Sequence, residues 1–183
     1  AAGHNQIQSI SLDSEGGVWV VARSRFARLA PSEDSLETIH VKLPGVLESS
    51  ANELFHIRVD PVKENRIWIA SQAGLLTYNT STGEFQNAHE WLNPSTLQSV
   101  REIAVSPFSK RIYVGFLGAP DLSNDQTHYN YAVFDSEQDA FIDAFSIDRS
   151  WANSSICAWK DSTMLLSSSN GLAFYDEASE ELV

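Results

Sequence analysis

Three scarce features of this 183-residue chain each exclude a class of protein: cysteine, positive charge and long apolar runs. Cys157 is the single cysteine, so these residues form no intrachain disulfide. Twelve Lys and Arg face 24 Asp and Glu, giving a formal net charge of −12. That excess argues against nucleic acid or an anionic membrane as the main partner. No apolar stretch approaches the ~18 residues of a membrane helix, so we expect no membrane insertion by this segment.

The beginning of the chain carries no targeting signal. It opens on Ala1-Ala2-Gly3 without an initiating Met, and no basic-then-apolar segment follows. We therefore expect an excerpt of a longer protein, in which a targeting sequence would lie elsewhere. Within the run Ile156-Cys157-Ala158-Trp159, the cysteine is predicted to be a small buried apolar residue rather than a nucleophile.

What the chain does contain is a repeat. Its two clearest copies are NQIQSISLDSEGGVWVVARSRFARL from Asn5 and NELFHIRVDPVKENRIWIASQAGLLTYN from Asn52, with Trp19 and Trp68 lying 49 residues apart. The apolar positions alternate with period two and are β-branched or aromatic, which indicates strands rather than helices. A repeat of about 40 to 50 residues with four short strands in each copy predicts a β-propeller.

Two weaker copies complete the pattern. Ile112-Tyr113-Val114 takes the place of the tryptophan strand in the third copy, and Gly171 to Asp176 is the best-fitting part of the fourth. We predict an all-β domain of four-stranded antiparallel blades. The approximate blade boundaries are 1–51, 52–97, 98–153 and 154–183, the last blade being incomplete. Propellers close as rings of about four to eight blades, so four repeats could form a four-bladed ring. We expect instead that this single partial domain belongs to a larger ring of about seven, completed by further residues, by a second chain, or not at all.

Two sets of residues have predicted structural roles. The second-strand aromatics Trp19, Trp68 and Tyr113 should fill the wedge between neighbouring twisted blades. Aspartates that follow strands should accept backbone N–H groups of the next turn: Asp13, Asp60, Asp135 and Asp176.

The repeat resembles a known family. Its first copy carries Asn5, Ile7, Ile10, Asp13 and the run Gly17-Val18-Trp19, and its second carries Asn52, Ile57, Asp60, Ile67-Trp68-Ile69, Gly74-Leu75 and Tyr78-Asn79. This pattern is similar to the two-component regulator propeller repeat. The third copy matches in part, with Tyr113 in place of Trp, and so does the fourth.

The resemblance implies a function that the residues alone do not give. It implies a ligand-sensing periplasmic domain of a membrane-anchored bacterial receptor of the histidine kinase or diguanylate cyclase type. Such a segment is non-catalytic and uses no cofactor. A small molecule or oligosaccharide is its expected ligand, and a homodimer formed through the parent receptor is a further expected partner arrangement.

The ligand-binding candidates lie where the repeat is interrupted. Tyr113 and Phe134 are 21 positions apart, against 10 for Trp68 and Tyr78, so the third copy carries an insertion between its second and third strands. Long loops in compact domains are often functional, and flat aromatic faces suit sugar rings. The candidates are Asp125, His128 and Tyr129 in the insertion, with Trp91 and Trp151 in the connections between copies. The alternative is a variable surface loop and tryptophans packed beneath their own loops.

Two other functional classes stay open. A propeller enzyme acting on polysaccharide, a lyase or glycosidase, would need acid and base residues converging at a channel mouth. A protein-interaction scaffold would instead present a large exposed apolar patch. The five histidines show no metal-binding spacing, so we predict neither a catalytic nor a metal site.

Overall fold

The fold consists of four similar sheets. The computed structural model describes residues 6–22, 25–31, 34, 36–39, 53–88, 99–117, 130–147, 155–168 and 171–183. These residues form sixteen strands in four antiparallel sheets of four, and none of them lies in an α-helix. In the described part of the chain, no helix meets the length and apolarity of a membrane span. The predicted all-β class with four-stranded blades is confirmed.

Each predicted repeat contributes one sheet, called blades 1 to 4 in chain order. Blade 1 contains β1 (Ile7–Leu12), β2 (Val18–Ala22), β3 (Arg25–Leu29) and β4 (Leu36–Ile39). Blade 2 contains β5 (Leu54–Val59), β6 (Arg66–Ser71), β7 (Gly74–Asn79) and β8 (Glu84–Asn87). Blade 3 contains β9 (Ser99–Val105), β10 (Arg111–Leu117), β11 (Tyr131–Asp135) and β12 (Ala140–Phe145). Blade 4 contains β13 (Ile156–Ala158), β14 (Thr163–Ser168), β15 (Gly171–Asp176) and β16 (Glu181–Leu182).

The first strands of successive blades lie side by side, as in a propeller: β1 by β5, β5 by β9 and β9 by β13. Polar side chains on one first strand accept backbone N–H groups of the next. Ser9 Oγ accepts from Ile57 N at 3.4 Å, and Ser11 Oγ accepts from Val59 N at 3.1 Å. His56 Nδ1 accepts from Ile103 N at 3.1 Å. These bonds set the register between neighbouring blades.

An apolar layer separates each pair of neighbouring blades, and each layer contains the second-strand aromatic of the earlier blade. Trp19 lies between blades 1 and 2, Trp68 between blades 2 and 3, and Tyr113 between blades 3 and 4. Their exposed fractions are 3%, 0% and 0%. The prediction that these rings fill the wedge between blades is confirmed.

The turn aspartates also behave as predicted. One oxygen of each carboxylate, Oδ1, accepts two backbone N–H groups in the turn that follows its strand. The donors are Glu15 and Gly17 for Asp13, Val62 and Lys63 for Asp60, Glu137 and Gln138 for Asp135, and Ala178 and Ser179 for Asp176.

In blades 1 and 2 the second oxygen of the first-strand aspartate holds the interblade tryptophan. Trp19 Nε1 donates to Asp13 Oδ2 at 2.9 Å, and Trp68 Nε1 donates to Asp60 Oδ2 at 2.7 Å. A guanidinium joins each pair, because Arg28 Nε lies 3.0 Å from Asp13 Oδ2 and Arg66 Nε lies 2.7 Å from Asp60 Oδ2. One carboxylate thus fixes both the turn and the ring.

Blade 3 keeps this arrangement with a carboxylate from the next blade. Ser106 stands where blades 1 and 2 have aspartate, and its Oγ accepts the N–H groups of Phe108 and Ser109. The buried Glu177 of blade 4 supplies the missing charge: Tyr113 Oη donates to its Oε1 at 2.8 Å and Ser106 Oγ to its Oε2 at 2.9 Å. Two substitutions in one repeat are therefore compensated by a residue in another.

The outward faces of blades 1 and 4 differ from the covered faces. Ile10 and Leu12 of blade 1 are 58% and 67% exposed, and Trp159 and Leu172 of blade 4 are 56% and 66% exposed. Cys157 lies on the same face of blade 4 as Trp159, by strand alternation, and is exposed. The prediction that Cys157 is buried is wrong, because no described blade covers this face.

Glu177→Ala should lower the free energy of unfolding by about 2–4 kcal/mol, because it leaves the buried hydroxyls of Tyr113 and Ser106 without their hydrogen-bond acceptor. Glu181→Ala, a truncation at an exposed position of β16, is the matched control and should change the free energy by less than about 0.5 kcal/mol. Urea unfolding followed by tryptophan fluorescence measures both. Equal effects of the two substitutions would contradict the role given to Glu177.

Candidate functional site

The five ligand-binding candidates, Trp91, Asp125, His128, Tyr129 and Trp151, lie outside the described residues, and their roles stay predictions. The insertion that contains three of them is evident from the strands on either side. Residues 118–130 join β10 to β11, whereas residues 23–24, 72–73 and 169–170 make the same connection in the other blades.

Asn130 lies at the base of this connection and has an unusual environment. Its backbone continues the sheet, since Asn130 N donates to Phe145 O at 3.1 Å and Asn130 O accepts from Phe116 N at 2.9 Å. Its side chain is 2% exposed, and neither Nδ2 nor Oδ1 has a hydrogen-bond partner among the described residues. A buried amide without partners costs about 1–3 kcal/mol, so such a group calls for a functional explanation.

The same position in blades 2 and 4 is occupied by glycine. In blade 3 Asn130 faces Phe116. The equivalent pairs are Gly74 with Ser71 in blade 2 and Gly171 with Ser168 in blade 4. Both glycines have a positive φ, of 117° and 144° respectively. Asn130 is not among the positive-φ residues of the described chain. The third blade thus has an amide side chain where two of its sister blades have none.

A second polar cluster lies on the first strands. His56 Nε2 is 3.3 Å from Glu102 Oε1, and both side chains are largely buried, with 14% and 23% exposed. Arg58 lies on the same strand as His56 and donates to Ile57 O at 2.8 Å. The Arg101 guanidinium, on the strand of Glu102, lies 4.2 Å from the ring centroid of Phe55. Sequence reasoning missed this cluster, although aligning the repeats places His56 and Glu102 at equivalent positions of adjacent first strands.

Burial dominates the acid–base behaviour of this cluster. It lowers the pKa of His56 to about 4, with the nearby Arg58 charge adding to the decrease. Burial raises the pKa of Glu102 to about 7 against the opposing charges of Arg58 and Arg101. His56 is therefore neutral in the folded state near pH 7, and its ring proton sits on Nε2, facing Glu102, because Nδ1 accepts the Ile103 N–H.

Glu102→Gln tests this assignment. Because the folded pKa of Glu102 is raised from 4.5 to about 7, its contribution to stability is fully present below pH 4.5 and is lost as pH rises through about 7. The neutral substitution should leave the free energy of unfolding unchanged at pH 4.5 and increase it by about 1–2 kcal/mol at pH 8.

Urea unfolding of wild type and variant at several pH values measures this difference. Glu84→Gln, a substitution at an exposed position of β8, is the control and should show no such pH dependence. A Glu102→Gln variant that is less stable than wild type at pH 8 would show that the carboxylate is not penalised by burial.

The chain shares its fold with several known structures. The chain aligns with the extracellular domain of the "putative hybrid two component system BT4673" from B. thetaiotaomicron at 15% identity and a TM-score of 0.69, over 97% of this chain. It aligns with the corresponding domain of BT3049 from the same organism at 21% identity and a TM-score of 0.51, over 99% of this chain. The structure of U3-55K also aligns, at 8% identity and a TM-score of 0.65, over 99% of this chain and 52% of that one.

These likenesses establish the fold and no more, because the identities are only 8–21%. The chain spans 22% of the BT4673 domain and 30% of the BT3049 domain. No protein-family model and no curated protein matches this sequence. The two bacterial domains belong to the class of protein that the repeat motif resembles.

Proposed function

We propose that this chain is a ligand-sensing, extracytoplasmic β-propeller segment of a bacterial signal-transduction receptor and is itself non-catalytic. The observation that carries the proposal is the buried, unpartnered amide of Asn130 at the base of the third-blade insertion. A scaffold residue would be expected to satisfy both polar atoms. A ligand that enters beside the insertion would supply the missing partners.

The amide chemistry favours a polyhydroxyl ligand. Asn130 offers one donor group, Nδ2, and one acceptor, Oδ1. A sugar hydroxyl donates and accepts at once, so neighbouring hydroxyls of a carbohydrate complement both atoms. In this proposal Tyr129, Trp91 and Trp151 provide ring surfaces for the sugar, and Asp125 and His128 provide further hydrogen bonds.

Two independent resemblances support the signalling role. The repeat motif in blades 1 and 2 is similar to that of two-component regulator propellers, and the structural neighbours BT4673 and BT3049 are described as extracellular domains of hybrid two-component systems. We extend this to a periplasmic location, a histidine kinase or diguanylate cyclase output, and a homodimer formed through the parent receptor. The exposed apolar residues on blades 1 and 4 support membership of a larger ring of about seven blades.

The enzyme alternative has weaker support. Glycoside hydrolysis commonly uses a pair of carboxylates flanking the scissile bond. Among the described first strands, Glu102 is the one carboxylate, and its neighbour His56 is engaged by the backbone of Ile103. This pair explains the register between blades 2 and 3 better than it explains catalysis.

Asn130→Ala separates binding from stability. Because the free protein loses an unsatisfied amide, the variant should be at least as stable as wild type, yet bind its oligosaccharide at least about tenfold more weakly. A thermal-shift screen against oligosaccharides would identify the ligand, and titration calorimetry would measure the affinities. Gln86→Ala, which removes an exposed amide of blade 2, should bind as wild type does.

Two outcomes would refute this function. The first is that no carbohydrate or other small nutrient shifts the melting temperature of the wild-type chain. The second is that a ligand binds wild type and Asn130→Ala equally well while the variant is destabilised, which would make Asn130 a packing residue.

A further inference from the structure

Two of the three interfaces between blades are bridged by an arginine of one blade and an acid of the next. Arg66 opens β6 and its Nη1 contacts Asp139 Oδ1 of blade 3. Arg111 opens β10, and its Nη2 lies 2.5 Å from Glu180 Oε1 of blade 4. Asp139 and Glu180 both lie in the turn between third and fourth strands, and both have a φ of 58°. The bridge is thus a repeated feature of the fold.

The interface between blades 1 and 2 lacks both partners of this bridge. Gly17 precedes β2 where Arg66 and Arg111 open their strands, and Gly83 stands in the turn where Asp139 and Glu180 lie. Instead, Arg28 of the neighbouring strand β3 contacts Asp13 at this position. A Cβ atom on residue 17 would lie 2.5 Å from Asp13 Oδ2 and 2.7 Å from Arg28 Nη2, so only glycine leaves room for this arginine.

Arg28 does not replace the bridge to the next blade. Its Nη2 lies 2.9 Å from Asp13 Oδ2 and 3.0 Å from Glu15 Oε2, both in its own blade. In the described part of the chain its hydrogen bonds and ion pairs all stay within blade 1. The guanidinium stacks near Trp19, 5.6 Å from the ring centroid, and leaves the space toward blade 2 open.

A cavity of about 440 Å³ lies at this point between the two blades. Its walls include Trp19, Arg28 and Glu37 from blade 1 and Tyr78 and Asn65 from blade 2. This volume is within the range of about 300–1,000 Å³ that small-molecule sites occupy. The cavity therefore has the size of a ligand site at the place where the chain's own cation bridge is missing.

The Tyr78 hydroxyl supplies an independent sign of a ligand. Tyr78 is 6% exposed and lines the cavity, yet its hydroxyl makes no hydrogen bond with another described residue. The other buried tyrosines of the described residues all have one: Tyr113 donates to Glu177, Tyr131 to Ser167 O and Tyr175 to Asp143. The hydroxyl of Tyr78 is instead directed to the open cavity, where a bound molecule would provide the partner that the other three hydroxyls find within the protein.

The charges around the cavity select the kind of molecule. Arg28 is shared by Asp13 and Glu15, which leaves Glu37 and Glu64 as carboxylates on the lining with no cation of the described residues paired to them. Burial, followed by the charge of Glu37, raises the pKa of Tyr78, so the hydroxyl stays protonated. In the described residues no three acidic, histidine or cysteine side chains are grouped as a metal site requires. The lining instead suits an extended organic cation.

We propose that this cavity binds a small organic cation whose ammonium or guanidinium group bridges blades 1 and 2. The bound cation takes the role that Arg66 and Arg111 have at the other two interfaces. Its charge faces Glu37 of blade 1 and Glu64 of blade 2, while its alkyl part lies against Trp19 and Tyr78. The Tyr78 hydroxyl provides a hydrogen bond to the ligand. This site is separate from the one beside Asn130.

Titration calorimetry of the whole chain with agmatine and putrescine tests the proposal, with xylitol as the neutral probe and succinate as the anionic one. Agmatine should bind, more weakly as NaCl is added, and xylitol and succinate should not. Glu37→Gln should weaken agmatine binding up to about fivefold, as expected for an exposed ion pair. Tyr78→Phe, which removes only the hydroxyl, should weaken it about tenfold.

Two further variants make the test specific. Glu181→Gln, at an exposed position of blade 4, and Gln86→Ala, at an exposed position of blade 2 outside the cavity lining, should bind agmatine as wild type does. The proposal is overturned if agmatine fails to bind wild type, if succinate binds as well, or if Glu37→Gln and Tyr78→Phe together leave affinity unchanged. If Tyr78→Phe does not fold, the exposed Glu37 position decides the question alone.

Discussion

The arrangement of the blades depends on a buried or partly buried carboxylate placed between each pair of neighbours. Asp13, Asp60 and Glu177 each bind the polar atom of the aromatic ring that fills one interblade wedge. A wide ring buried between two twisted sheets is stabilised by its area, but area alone does not fix its orientation. The hydrogen bond to the carboxylate fixes the orientation of the ring, and the oriented ring limits how far one blade can rotate against the next.

Such a carboxylate must itself be compensated, because an uncompensated buried charge is costly. The charge of these carboxylates is compensated in two ways. In blades 1 and 2 an arginine and two turn N–H groups satisfy the aspartate, and for Asp13 these bonds outweigh the effect of burial and lower its pKa. In blade 3 two hydroxyls satisfy Glu177, and its charge raises the pKa of Tyr113 beyond the increase from burial.

These solutions explain which features could be predicted from the sequence. A single repeat contains both Asp60 and Trp68, so their pairing follows from its pattern, as do the strands and the turn bonds. Glu177 could not be recognised in the same way, because its partners Ser106 and Tyr113 belong to another repeat about seventy positions earlier and no spacing rule joins them. The bridge between Arg66 and Asp139 was missed for the same reason.

The candidate sites follow a related logic. The insertion after β10 interrupts the repeat and is evident from the longer spacing in the sequence. The burial of the Asn130 amide, in contrast, is evident only in the structure. Gly17 and Gly83 belong to well-formed repeats, and each is an ordinary turn residue in the sequence. Their significance becomes clear only when the blades are compared. Gly17 occupies the position of Arg66 and Arg111, and Gly83 occupies the position of Asp139 and Glu180.

A repeat protein can remove one bridge without losing its fold, since each blade contacts only its neighbours and the remaining apolar layer still holds the pair together. The layer between blades 1 and 2 keeps Trp19, Phe26 and Ile57 fully packed beside the cavity. The apolar layer therefore still joins the two blades where the ion bridge is absent. A bound cation would restore the link between the two blades, which would couple occupancy of the cavity to the relative position of neighbouring blades, the kind of coupling that a sensor domain requires.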